Sequence, residues 1–208
     1  MLENVKWLGH SSIKISEDKE IYIDPYKIKE KYNDADIIFI THNHYDHFSE
    51  NDIKKCMNSN TKIVITEDLY QDTINLGFQR ENIITVLPNN SYEIDNITFL
   101  TIPSYNINKK FHPKENNWVG YIININNIKY YIAGDTDLTN ESKDVKCDIA
   151  FLPIGGTYTM DCFEAATLAN MIKPKIVVPI HYGTIVGTKE DAINFKSNIN
   201  NTIKCSIL

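Results

Sequence analysis

Residues 41–47 read Thr41-His42-Asn43-His44-Tyr45-Asp46-His47, directly after the apolar run Ile37-Ile38-Phe39-Ile40. Three histidines and an aspartate within six residues are hard to explain by packing. Imidazole and carboxylate are, however, the preferred ligands of zinc and similar divalent metals. A buried strand that ends in such a loop turns several of these side chains toward one point. The competing reading, a polar surface turn, leaves the density of histidine unexplained.

Outward from this stretch, strand and helix signals alternate. On the N-terminal side WLG, SSIKIS and EIYID form a strand meander, with the charged SEDKE stretch as a hairpin loop. On the C-terminal side we expect a helix after Ser49, a strand over Ile63–Ile65, a helix from about Glu67 to Leu76 stopped by Gly77, and a strand over Ile83–Leu87. Two hairpins follow, turning at Asp95-Asn96 and Asn126-Asn127, residues that tolerate the left-handed backbone of tight turns. After the strand IAFLPI and the loop GGTYTM, Asp161 and Glu164 are suited to cap a helix. Ala165, Leu168, Ala169 and Ile172 repeat on its inner face. The buried strand KIVVPI and a last helix after Thr188 complete the chain. The order of strands then helix recurs in each half, and two sheets faced by helices are its simplest packing.

With 208 residues, 42% of them hydrophobic, the expectation is one domain over residues 1–208 with a large core. The opening MLENVKWLGHSS has no basic stretch followed by an apolar core, and no apolar run is long enough to span a bilayer, so the expected location is the cytoplasm. Cys56, Cys147, Cys162 and Cys205 contain no C-x-x-C pair and read as reduced, buried thiols. The formal net charge of −6 disfavours a nucleic-acid backbone as partner, although it does not exclude a local basic patch. The asparagine-rich tracts carry strand and turn signals and read as compositional drift.

The stretch THNHYDH resembles the H-x-H-x-D-H motif of the metallo-β-lactamase superfamily, and the resemblance runs across almost the whole chain. Asp24 in YIDP, Asp135 in AGDTD and His181 in PIHYG match further landmarks, in order. The segments GHSS, IDP, AGDT, LPIGGTYTM and KPKIVVPIHY are similar to the small metal-dependent hydrolases related to ascorbate-phosphate lactonases. The resemblance implies an α/β fold, a four-layer αββα sandwich of two mixed β-sheets flanked by helices. It implies one or two divalent ions, zinc foremost, with manganese or iron as alternatives. His42 and His44 would hold the first, Asp46, His47 and His181 the second, with Asp135 between them and Asp24 supporting from behind. A water shared by the metals would be the nucleophile, and Asp46 would orient it.

One family histidine has no counterpart in sequence. Asn106 stands near its place, and His112, six residues on and followed by Pro113, is the expected replacement ligand; otherwise His112 contacts substrate, the first metal is weakly held, or Asn106 takes the role. His10, Lys110 and Tyr158 are candidate substrate contacts. Lys109, Lys110 and Lys114 in this loop suit either an anionic group on the substrate or plain solvation.

The expected activity is therefore hydrolysis of a small-molecule ester, lactone or related substrate, with no membrane partner. The rivals are a metal-dependent nuclease or phosphodiesterase, a redox diiron protein, disfavoured because its usual glutamate is His44 here, and a metal-binding scaffold without turnover. An exported β-lactamase is disfavoured by the N-terminus. The residues leave open the bond cleaved, the metal and the oligomeric state.

Overall fold

The computed structural model describes all 208 residues, which divide into two compact units, Met1–Leu87 and Pro88–Leu208. The first holds a six-stranded sheet ordered β1 (Val5–Gly9), β2 (Ser12–Ser16), β3 (Glu20–Ile23), β4 (Ile37–Phe39), β5 (Lys62–Thr66) and β6 (Ile83–Val86). Strands β1 to β3 are an antiparallel meander, and β3 to β6 are mutually parallel. β1 therefore runs the same way as β3, β4 and β5. His10, Asp24 and residues 41–47 all leave the sheet at one edge, the carboxyl ends of parallel strands, where loops converge and ligand sites gather. Helices α1 (Glu50–Cys56) and α2 (Tyr70–Leu76) flank this sheet. Ile53, Cys56 and Leu76 from them join Ile38, Ile40, Ile63 and Ile65 in one buried cluster. The expected helix from Glu67 opens as a 3₁₀ turn over Glu67–Leu69 before α2 begins. It stops where Gly77 takes φ 107, a left-handed cap that glycine adopts without a Cβ clash.

The second unit holds a seven-stranded sheet ordered β7 (Ser91–Ile94), β8 (Ile97–Pro103), β9 (Val119–Ile125), β10 (Ile128–Ile132), β11 (Ile149–Pro153), β12 (Ile176–Ile180) and β13 (Lys204–Cys205). β7 to β10 are antiparallel and β10 to β13 parallel. Both hairpins turn at the expected pairs, with φ 49 and 65 at Asp95-Asn96 and 52 and 63 at Asn126-Asn127. Two successive positive values are what a two-residue turn of the strands' own twist needs. β11 and β12 are buried throughout, the continuous apolar reading of strands covered on both faces. Pro179 is tolerated there because β13 pairs only with Ile176 and Val177, so one side of the strand has no ladder to break at the proline.

Helices α3 (Asn140–Lys143), α4 (Cys162–Ile172) and α5 (Lys189–Ser197) complete this unit. Asp161 caps α4 through Phe163 and Glu164, whose own carboxylate returns to the Asp161 amide, and Ala165, Leu168, Ala169 and Ile172 are its buried face. Thr188 caps α5 in the same reciprocal way with Asp191. No helix is long and apolar enough to cross a membrane.

The cysteines correct the sequence reading in part. Cys56 and Cys162 are buried, but Cys147 and Cys205 are half-buried, because they lie in the loop before β11 and on the short terminal strand. All four are reduced thiols. Desolvation pushes Cys56 and Cys147 up to about 12 and Cys205 up to about 11, and raises Cys162 as well, so near neutral pH all four are protonated thiols.

Candidate metal centre

In the first unit the site is built on Asp24, the residue after β3. It is fully buried, has φ 44, and its amide donates to the Phe39 carbonyl (3.0 Å). Its Oδ1 accepts from the Thr41 amide (2.9 Å), and its Oδ2 accepts from Thr41 Oγ1 (2.7 Å) and faces His47 Nδ1 at 2.7 Å. These contacts set tautomers. A carboxylate only accepts, so His47 carries its proton on Nδ1 and presents the lone pair of Nε2. Thr41 has one hydroxyl proton, given to Asp24. Its oxygen, 2.9 Å from His42 Nδ1, must then accept, which puts the His42 lone pair on Nε2.

His42 Nε2 lies 3.2 Å from His44 Nδ1. Two nitrogens at about 2.05 Å from a tetrahedral zinc would stand about 3.3 Å apart, so the pair has the spacing of neighbouring ligands on one ion. Asp46 turns the other way. Its Oδ2 is 2.9 Å from His10 Nε2 and 3.7 Å from His47 Nε2, and the donor atoms of these three residues lie within 4.8 Å of one another. His10 was read as a substrate contact; here it is buried, with φ 52, and its carbonyl accepts from Trp7 Nε1 (2.8 Å).

In the second unit β8, β10, β11 and β12 run in one direction, so the segments that follow them share one edge of the sheet. Asp135 follows β10. Its Oδ2 is 3.0 Å from His181 Nε2 and 3.4 Å from His112 Nε2, and all three side chains are buried. His112 reaches this point from the loop after β8, closed on itself by Asn106. The Asn106 amide donates to the His112 carbonyl (2.7 Å), and the His112 amide to Asn106 Oδ1 (3.2 Å). Asn106 Nδ2 donates to Asp137 Oδ1 (3.1 Å) and to the Tyr158 carbonyl (2.9 Å). Both ends of the Asn106 amide are thus used as a clamp that presents His112. The ring of His112 stands edge-on to Trp118, centroids 5.3 Å apart.

Two of the loop lysines are committed elsewhere. Lys109 pairs with Asp137 (2.6 Å) and Lys114 with Glu141 (2.7 Å), which leaves Lys110 exposed as the cation of the loop that none of these carboxylates neutralises. The sequence reading missed the partner acids, which come from the segment after β10, about 28 residues away. It also missed Gly155. A Cβ there would stand 2.6 Å from Val186 Cγ2, 2.8 Å from the His181 carbonyl and 2.9 Å from His181 Nδ1. His181 itself takes φ 58 at the end of β12. Gly155→Ala is therefore expected to displace the imidazole and weaken metal binding about 10 to 100-fold. It should destabilise the fold by roughly 1–3 kcal/mol. Chelator competition on the purified variant checks this, and an unchanged affinity would show that the loop yields instead.

The sequence comparisons agree with this geometry. The family model of the β-lactamase superfamily domain matches residues 4–181, a span that takes in most of both units and every candidate ligand. The chain belongs to the metallo-β-lactamase superfamily. Within it the relatives are metal-dependent hydrolases. The one from Thermococcus onnurineus is 32% identical, over 98% of this chain and 95% of its own length. Among solved structures, a candidate metal-dependent hydrolase of Parabacteroides distasonis superposes with a TM-score of 0.85 at 31% identity, covering 98% of this chain and 91% of that one. The metallo hydrolase Igni18 of Ignicoccus hospitalis gives 0.77 at 26% identity, covering 98% and 94%. The fold is thus that of the superfamily, an α/β fold of two mixed sheets flanked by helices, and the chain groups with its metal-dependent hydrolases. The donor set, buried imidazoles and carboxylates with two histidine tautomers fixed by Thr41 and Asp24, fits divalent metal ions.

Proposed function

We propose that this chain is a single-domain hydrolase of a small ester, lactone or related molecule, using two divalent ions, zinc foremost. His42, His44 and His112 hold one ion, Asp46, His47 and His181 the other, and Asp135 lies between. The observation that carries the reading is the Asp135 carboxylate, whose Oδ2 meets two imidazole nitrogens at 3.0 and 3.4 Å, a shared anionic ligand in the making. When bound, the metals supply Lewis acidity and a water acidified toward neutrality. The chain does the rest. Asp24 and Thr41 hold His47 and His42 in the ligating tautomer, and Asn106 presents His112. Asp46, held by His10, is placed to accept a proton from the attacking water.

The test is metal analysis of the purified protein together with a screen of lactones, aryl esters and phosphodiesters, zinc or manganese being supplied. One to two equivalents of metal are expected, and their addition should raise a single unfolding transition, as for one domain. His44→Ala and His181→Ala should each lose metal and cut turnover by orders of magnitude. Failure to take up metal would end the proposal. Turnover confined to phosphodiesters would transfer it to the nuclease class.

A further inference from the structure

We infer that the substrate is neutral and carries an apolar acyl or aryl group, seated against a wall made by Phe111 and Tyr158; this rests on the hydrolase reading above. Phe111 immediately precedes His112, yet the two are treated oppositely. His112 is buried, whereas the Phe111 side chain is 46% exposed. A phenyl ring so placed in an irregular loop would normally swing freely. This one has a partner, its ring perpendicular to that of Tyr158 with centroids 4.6 Å apart.

Tyr158 is anchored in turn. Its carbonyl accepts from Asn106 Nδ2, the same amide that clamps His112, and it belongs to the 155–160 loop in which Gly155 abuts His181. One ring thus rides on the loop that carries His112 and the other on the loop that abuts His181, and Ile107, 58% exposed, adds to the apolar surface of the His112 loop. Charge points the same way. Lys109 and Lys114 are neutralised by Asp137 and Glu141, so the loop's cationic character reduces to Lys110. An anionic substrate would meet a mostly compensated surface, and an apolar one would cover rings now facing solvent.

The experiment compares kcat/KM for p-nitrophenyl acetate, hexanoate, phenylacetate and a hemisuccinate in the metal-loaded wild type, Phe111→Ala, Phe111→Leu, Tyr158→Ala and Lys110→Ala. In the wild type the hexanoate-to-acetate ratio should exceed one. In Phe111→Ala it should fall about tenfold, within the range by which apolar pockets discriminate, and Phe111→Leu should restore part of it. Metal content, measured on the same samples, separates a lost wall from a lost centre. In parallel, ligand-observed NMR follows the neutral amide N-benzylhexanamide, whose line broadening by the wild type should drop in Phe111→Ala. Broadening that depends on Phe111 without any ester turnover would sink the hydrolase reading and keep the wall. Ratios and broadening untouched by either aromatic substitution would overturn the wall, as would a preference for the hemisuccinate that Lys110→Ala removes.

Discussion

Asp135→Asn is expected to remove activity by on the order of a thousand-fold or more and to strip the protein of most of its metal while leaving the far-ultraviolet circular dichroism near wild type. The substitution keeps the shape of the side chain and removes its charge. In the native chain Asp135 Oδ2 lies between His181 Nε2 and His112 Nε2, an arrangement in which an anion holds two cations together or two imidazoles in place. Both contacts are made by Oδ2, so an amide with its one neutral oxygen there meets a metal without the charge, and one with its NH2 there, which can only donate, turns both contacts repulsive toward a metal. Bridging anionic ligation and the Lewis acidity it sustains account for several kcal/mol of transition-state stabilisation, and each 1.36 kcal/mol is a factor of ten. The backbone should not follow, because the Asp135 carbonyl is independently held by Ser104 Oγ (2.9 Å). Elemental analysis and turnover on one substrate decide the matter together. Near-native values in both would remove Asp135 from the centre.

The legibility of this chain divides along the reach of its interactions. Features set by neighbours in sequence could be read directly. The Asp161–Glu164 capping box, the left-handed pairs at Asp95-Asn96 and Asn126-Asn127, and the Gly77 stop depend on residues a few positions apart, and each is found where the sequence puts it. The THNHYDH loop stood out because several of its donors come from one strand end. What escaped depends on partners distant in sequence. Helix α3 has one turn, too short for any hydrophobic period, and β13 contributes two residues to an existing sheet edge. The contact between His10 and Asp46 spans 36 residues, and the Lys109–Asp137 pair spans 28; neither leaves a local signature. Gly155 stands in a motif whose sequence gives no reason for it, and the reason is the close approach of Val186 and His181, which leaves no room for a Cβ and exists only once the chain is packed. Asn106 looked like a weakened ligand because sequence shows its position and not its bonds. With its oxygen and nitrogen both engaged, it is the brace of the loop that presents His112.

Asp24 offers the sharper test of how much of the centre is made by residues that never meet a metal. Asp24→Asn preserves volume and leaves an oxygen for the Thr41 amide, now at 2.9 Å from Oδ1. The opposite corner then becomes an NH2 group facing Thr41 Oγ1 and His47 Nδ1, both of which donate to Asp24 in the native chain. Donor would meet donor. The least costly relief is for His47 to move its proton to Nε2 and accept through Nδ1, which removes the lone pair from the nitrogen assigned to the metal. Thr41, its hydroxyl proton released from Asp24, can turn it toward His42 Nδ1 and disturb the second tautomer as well. Metal affinity should fall by about 10 to 100-fold or more, the range for loss of a carboxylate that orients a ligating histidine. Stability should fall by roughly 1–3 kcal/mol for each buried group left without its bond. Chelator competition measures the first and thermal unfolding of the metal-depleted protein the second. Nitrogen-15 spectra of the imidazoles in the zinc-loaded protein give the deciding readout. They should show His47 protonated on Nδ1 in the wild type and, wherever Asp24→Asn still binds metal, His47 signals shifted away from that form. An Asp24→Asn protein with unchanged affinity and an unchanged His47 spectrum would mean that the ring is oriented by its packing against His42, 3.9 Å away between centroids, and not by the carboxylate.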